Sequence, residues 1–184
     1  LMSFDIKRLL QWLNAIFETP SDRTHAIGRK ALQNLIVNNP EHQYLVGQTL
    51  RMCYIARLPK ALTSYFEVVT KVLTENANVH MPFWKVLCAG LYTLGNEDSQ
   101  IRMKSARLLR TLEERQGKTS KLQDLDISVS DKTTAVYKLA QFEVSCRLAK
   151  QHPELAFHVF SEFSAYFNEL QPDHQRNMVS GMLP

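Results

Sequence analysis

The six histidines, His25, His42, His80, His152, His158 and His174, are the residues best suited to acid-base or metal chemistry, yet no two lie three or four positions apart. That spacing would put two imidazoles on one helical face, where they could share a metal ion. His152 and His158 come nearest, but six positions with Pro153 between them make poor ligand geometry. No metal site is expected, and the histidines read as surface or capping residues. Cys53, Cys88 and Cys146 are odd in number, widely separated and flanked by apolar residues, the setting of reduced core thiols rather than of a disulfide frame or a zinc site. The six glycines are scattered, so there is no phosphate-cradling loop and no Gly-x-Ser-x-Gly elbow. Among acidic pairs, Glu97-Asp98 suits a helix N-terminus, Glu113-Glu114 beside Arg110 suits a solvated ion-pair face, and Asp124 with Asp126 reads as loop polarity rather than a cation site. No catalytic residue and no cofactor is expected, and the chain reads as a non-enzyme.

One charged feature stands out. Arg102, Lys104, Arg107, Arg110, Arg115, Lys118 and Lys121 form a basic run. On a helical wheel Arg107 and Arg110 lie opposite the Ile101/Leu108/Leu112 stripe, while Arg102 and Lys104 flank it. Two readings stay open: a solvated face, or a docking patch of Arg102, Lys104, Arg107 and Arg110 for an acidic or phosphorylated partner. The formal net charge of +4 divides into +7 over residues 1–121 and −3 over 122–184. This is too mild for the dense basic stripe of a nucleic-acid binder, so no nucleic acid is expected.

The elements that would carry these residues are punctuated by proline. Pro20, Pro40, Pro59, Pro82, Pro153 and Pro172 each interrupt a stretch of helical apolar periodicity. Proline cannot continue a helix past its first turn, so this spacing marks short helices joined by tight corners. Two such helices make a unit of about 40 residues, the HEAT or armadillo period. The expected fold is all-α, a HEAT/armadillo-like α-solenoid of antiparallel helix pairs at about 3–38, 41–75, 82–116 and 132–170, with a half pair at 172–184. The whole, 1–184, reads as a single segment of a longer chain. Ser3 is expected to cap the first helix. Ile27, Ala31, Leu32, Leu35 and Ile36 should form the inward stripe of the second, and Leu62, Tyr65, Phe66, Val69, Val72 and Leu73 that of the fourth. Gly95 is expected to stop the fifth helix in the left-handed conformation. Phe160, Phe163, Tyr166 and Phe167 read as a core stripe, and Met178, Val179, Met182 and Leu183 as apolar surface that a missing neighbour would cover. Residues 117–131 read as an irregular loop, with Leu122, Leu125 and Ile127 as a short plug and Ser128 and Ser130 as phosphorylation candidates. No apolar run approaches the roughly 18 residues of a transmembrane segment.

Two strings carry a resemblance. IRMKSARLLRTLEER, preceded by Glu97-Asp98, resembles the second helix of a HEAT repeat, a family in which an acidic residue and an arginine, here Asp98 and Arg102, stack into ladders between repeats. CRLAKQHPELAFHVFSEFSAYFNELQPDHQRNMVSGMLP, with its His152-Pro153-Glu154-Leu155 joint and Phe160-Ser161-Glu162 step, resembles the central region of the Furry-type cell-morphogenesis proteins. These are very large eukaryotic scaffolds. The resemblance implies a non-enzymatic scaffold segment supporting cell shape and polarised growth, with an NDR-family kinase and its Mob co-activator as partners. It also implies a cytoplasmic location at the cell cortex or at sites of polarised growth. The competing functions are a nucleic-acid-binding HEAT array and another kind of peptide-binding adaptor.

Overall fold

The computed structural model describes residues 5–76, 78–115 and 126–182. Among them are ten α-helices, one 3-10 turn and no strand, so the all-α expectation holds. Proline punctuation is visible in the boundaries: Pro59 and Pro172 open helices, and Pro82 caps one. The chain packs as two compact units, residues 1–81 and 82–184.

The first unit holds α1 (Ile6–Phe17), α2 (Asp22–Asn38), α3 (Gln43–Ile55) and α4 (Pro59–Glu75). Ser3 lies outside the described residues; Asp5 caps α1, its carboxylate accepting from the Arg8 amide at 3.2 Å. Ser21 caps α2 in the same way through Thr24 N–H at 3.3 Å. Three cross-helix contacts mark the register of α2 on α4: Lys60 to Asp22 at 2.8 Å, Arg29 to Glu67 at 2.8 Å, and Gln33 to Glu75 at 3.4 Å. Residue numbers rise together along both helices, so α2 and α4 run parallel. That is the relation expected of successive second helices in stacked hairpins. All six stripe residues expected on α4 are buried.

On α2 the buried face is His25, Gly28, Leu32 and Ile36, while Ile27 is exposed. The surface role expected of the histidines therefore fails at His25. Its Nε2–H donates to the Thr19 carbonyl at 2.8 Å, which leaves Nδ1 to accept from the Ser64 hydroxyl at 2.8 Å. Arg29 donates to the same hydroxyl oxygen at 3.2 Å. With both ring nitrogens partnered, hydrogen bonds offset the cost of burying the imidazole, and the stripe rotates to admit it. Gly28 allows α1 to approach closely, since a Cβ there would lie 2.7 Å from Ile16 and 2.9 Å from Phe17.

The second unit holds α5 (Phe83–Leu94), α6 (Ser99–Arg115), α7 (Asp126–Ser130), α8 (Thr134–Gln151), a 3-10 turn (Pro153–Leu155), α9 (Ala156–Phe167) and α10 (Pro172–Met182). Helix α5 lies at its centre, buried from Val86 to Leu94 and packed against α6, α8, α9 and α10. Three expectations change here. Residues 126–130 are helical rather than irregular, and Val129 is buried there; Leu122, Leu125 and Asp124 fall outside the described residues, as does the Ile127 side chain. Phe163 is buried on α9 but Phe160 is exposed, because one helix face meets α5 and the other meets no described neighbour. Helix α10 is packed rather than unpartnered: Met178 is fully buried against the unit's own helices, Val179 is exposed, and Leu183 lies outside the described residues.

Candidate functional site: the basic face of helix α6 and its anchoring arginine

Helix α6 is the element the basic run predicts. Its first turn is organised by Asp98, whose carboxylate accepts from the Gln100 amide at 2.8 Å, and by Asn96, whose side chain accepts from the Asp98 amide at 2.9 Å. These satisfy N–H groups that a helix start leaves open. Ile101, Ser105, Ala106, Leu108, Leu109 and Leu112 face inward. Ser105 donates to the Ile101 carbonyl at 2.8 Å and shares a 2.7 Å hydrogen bond with Thr93 of α5.

Arg102 departs from the docking role. Only 1% of it is exposed. Its Nε donates to the Val129 carbonyl at 2.7 Å, Nη1 to the carbonyls of Asn96 and Glu97 at 2.7 and 2.8 Å, and Nη2 to the Asp131 carbonyl at 2.6 Å. The guanidinium lies 3.9 Å from the centre of the Tyr137 ring, a cation–π contact. Burial pushes its pKa down from the ordinary value, and the nearby Tyr137, Asp98 and Asp131 oppose that shift. Arg102 is thus an internal clamp holding α7 and the start of α8 to the α5–α6 corner. The ladder with Asp98 takes another form: Arg102 binds backbone carbonyls, and the Asp98 carboxylate caps its own helix. The fork of the guanidinium, with donors diverging in one plane, is what lets one side chain satisfy four carbonyls.

The rest of the basic set lies outside that lock. Arg107 is exposed, and Lys104 and Arg110 are half-buried. At intervals of three they form one stripe winding along α6. Deeper in, Glu113 pairs with Arg147 of α8 at 2.8 Å. Ser128 is half-buried within α7, and Ser130 is exposed at its end.

The corner behind α6 is held by polar side chains from α8 and α10. Gln141 donates to the Leu91 carbonyl at 2.9 Å, Asn177 to the Tyr92 carbonyl at 2.8 Å, and Lys138 to the Gly95 carbonyl at 2.9 Å and to the Asn177 side chain. These take up carbonyls that the end of α5 leaves open, and a lysine there also suits the negative end of the helix dipole. Burial pulls the Lys138 pKa down to about 8. Gly95 sits in their midst with φ −95° and ψ 11°, so it is not left-handed as expected. Glycine is needed for room: a Cβ would meet the Asn177 and Gln141 side-chain oxygens and lie 2.6 Å from Gln141 Cδ.

Among the described residues no group of three His, Cys, Asp or Glu could hold a metal ion, and no helix is long and apolar enough to cross a membrane. Burial pushes the Cys53 and Cys88 thiols up, which disfavours the reactive thiolate. The partners of Arg102 that sequence reasoning missed are Val129, Asp131 and Tyr137. Two are backbone acceptors, for which no side-chain signal exists.

No family model matches the chain, and no solved structure matches it. Two curated relatives do. The chain is 25% identical over 182 residues to the cell polarity protein mor2 of Schizosaccharomyces pombe, covering 98% of this chain. It is 23% identical over 185 residues to the cell morphogenesis protein PAG1 of Saccharomyces cerevisiae, covering all of it. In both, the match spans 8% of the relative's length. The chain is therefore homologous, from end to end, to a short stretch of the large Furry-type cell-polarity and cell-morphogenesis proteins.

Proposed function

We propose that this chain is a non-enzymatic scaffold segment of a cell-morphogenesis protein, and that it presents the α6 stripe of Lys104, Arg107 and Arg110 to an acidic or phosphorylated surface. The observation that carries the reading is the end-to-end match to a polarity protein and a morphogenesis protein. The geometry supports the division of labour. Arg102 is committed to the fold, so Arg107 is left as the exposed centre of the stripe. The Furry-type resemblance makes an NDR-family kinase with its Mob co-activator the proposed partner, and the cell cortex or sites of polarised growth the proposed location. Ser128 and Ser130 are proposed phosphorylation sites, with exposed Ser130 the more accessible.

The test is made in cells with the full-length protein. Arg107→Glu with Arg110→Glu is introduced into it, and cell shape and kinase capture are scored together. The reading expects misshapen cells and reduced capture at normal protein abundance. Normal shape and capture would return the stripe to an ordinary solvated face.

A further inference from the structure

The parallel helices α2 and α4 leave a groove of about 600 Å³ lined by Ala26, Arg29, Lys30, Gln33, Asn34, Glu67, Val68 and Lys71. We propose that this groove binds an extended acidic peptide segment of a partner protein. The site is separate from the α6 stripe and does not depend on the reading given to that stripe.

The groove is positively charged. Three cations line the groove against one carboxylate. The carboxylate, Glu67, is held at 2.8 Å by Arg29, and Arg29 is pinned further by Ser64 at 3.2 Å, itself tied to buried His25. The arginine is therefore held in place by contacts reaching into the core. Lys30 and Lys71 are exposed, and neither ammonium group makes a hydrogen bond or ion pair with another described residue. Both ammonium groups are available to a partner's carboxylates, and the summed positive charge of the groove favours an acidic ligand.

Shape and hydrogen bonding select the conformation. The lining residues of α2 climb one turn at a time, Ala26, then Arg29 and Lys30, then Gln33 and Asn34, so the groove runs along the helices. Ala26 and buried Val68 put no bulky side chain across it. The Gln33 and Asn34 amides can each donate and accept, which matches an extended backbone whose N–H and C=O groups are unpaired. A helical ligand has already used those groups internally. The Gln33–Glu75 hydrogen bond at 3.4 Å places a carboxylate near one end of the groove, one turn from Lys71, so the acidic residues should centre on Lys30, with Lys71 at their edge.

The test titrates the 184-residue chain with a short fluorescein-labelled peptide of alternating Glu and Ser, followed by fluorescence anisotropy. A Gln-for-Glu peptide, single-stranded DNA and phosphatidylserine vesicles serve as competitors. Support is saturable binding of the Glu peptide that weakens at least about tenfold for the Gln peptide and for Lys30→Glu with Lys71→Glu. Arg107→Glu with Arg110→Glu should leave it unchanged. If charge reversal impairs folding, Lys30→Gln with Lys71→Gln replaces it, with the same direction expected. Equal binding of the Glu and Gln peptides, indifference to the lysine substitutions, loss only in the α6 variant, or stronger competition by DNA or vesicles would each overturn the proposal.

Discussion

Replacing Arg102 by methionine removes the clamp while keeping a long apolar stem. Four hydrogen bonds to the carbonyls of Asn96, Glu97, Val129 and Asp131 are lost, with the stacking on Tyr137. A hydrogen bond to a charged group contributes about 1.5–3 kcal/mol, but removing the guanidinium also lifts the cost of burying its charge, and water can reach the corner carbonyls. Taking the fully buried Val129 carbonyl as the acceptor left without a partner, the expected loss is about 3 kcal/mol. Arg102→Lys should lose nearly as much, because one ammonium cannot span carbonyls on two segments. Urea denaturation measures the loss, and hydrogen exchange locates it: amides of residues 126–133 should lose protection while those of α2 and α4 keep theirs. A loss below about 1 kcal/mol with unchanged exchange in α7 would refute the clamp and restore Arg102 to the docking patch.

Gly95→Ala should cost about 1–3 kcal/mol, since its methyl displaces the Gln141 or Asn177 amide from an α5 carbonyl; a change within 0.5 kcal/mol by thermal melting would contradict the crowding. Glu162 is buried beside Lys85 at 3.3 Å, and desolvation raises its pKa above the ordinary carboxylate value. The unfolded chain therefore releases this proton first as pH rises past 4.5, so wild type should lose stability relative to Glu162→Gln as pH rises above about 4.5; a gap independent of pH would contradict it. In native protein half-buried Cys146 should react with a thiol reagent well before buried Cys53 and Cys88, and mass spectrometry of partly labelled protein would show the reverse if the core were wrongly assigned.

Much of the architecture is legible because proline and periodicity act locally. The stripe of α4 and the caps at Ser21 and Pro82 need nothing beyond neighbouring residues. What misleads is long-range partnership. His25 turns inward because Ser64, thirty-nine positions away, completes its hydrogen bonds, and the stripe of α2 rotates away from Ile27 as a result. Arg102 looks like surface charge on a helical wheel because its acceptors are carbonyls supplied by residues 27 and 29 positions onward. Gly95 was legible as a helix stop, but its reason is the crowding by α8 and α10, and no local pattern announces that. The α6 stripe shows the same division: periodicity finds the basic face, and tertiary packing removes Arg102 from it.

The most direct measurement of the central claim titrates the purified chain with a purified NDR-family kinase–Mob complex and compares wild type with Arg107→Glu/Arg110→Glu. The account predicts saturable binding that weakens at least about tenfold in the variant while the helical fold is retained. Absence of binding, or equal affinity of the two proteins, would contradict it.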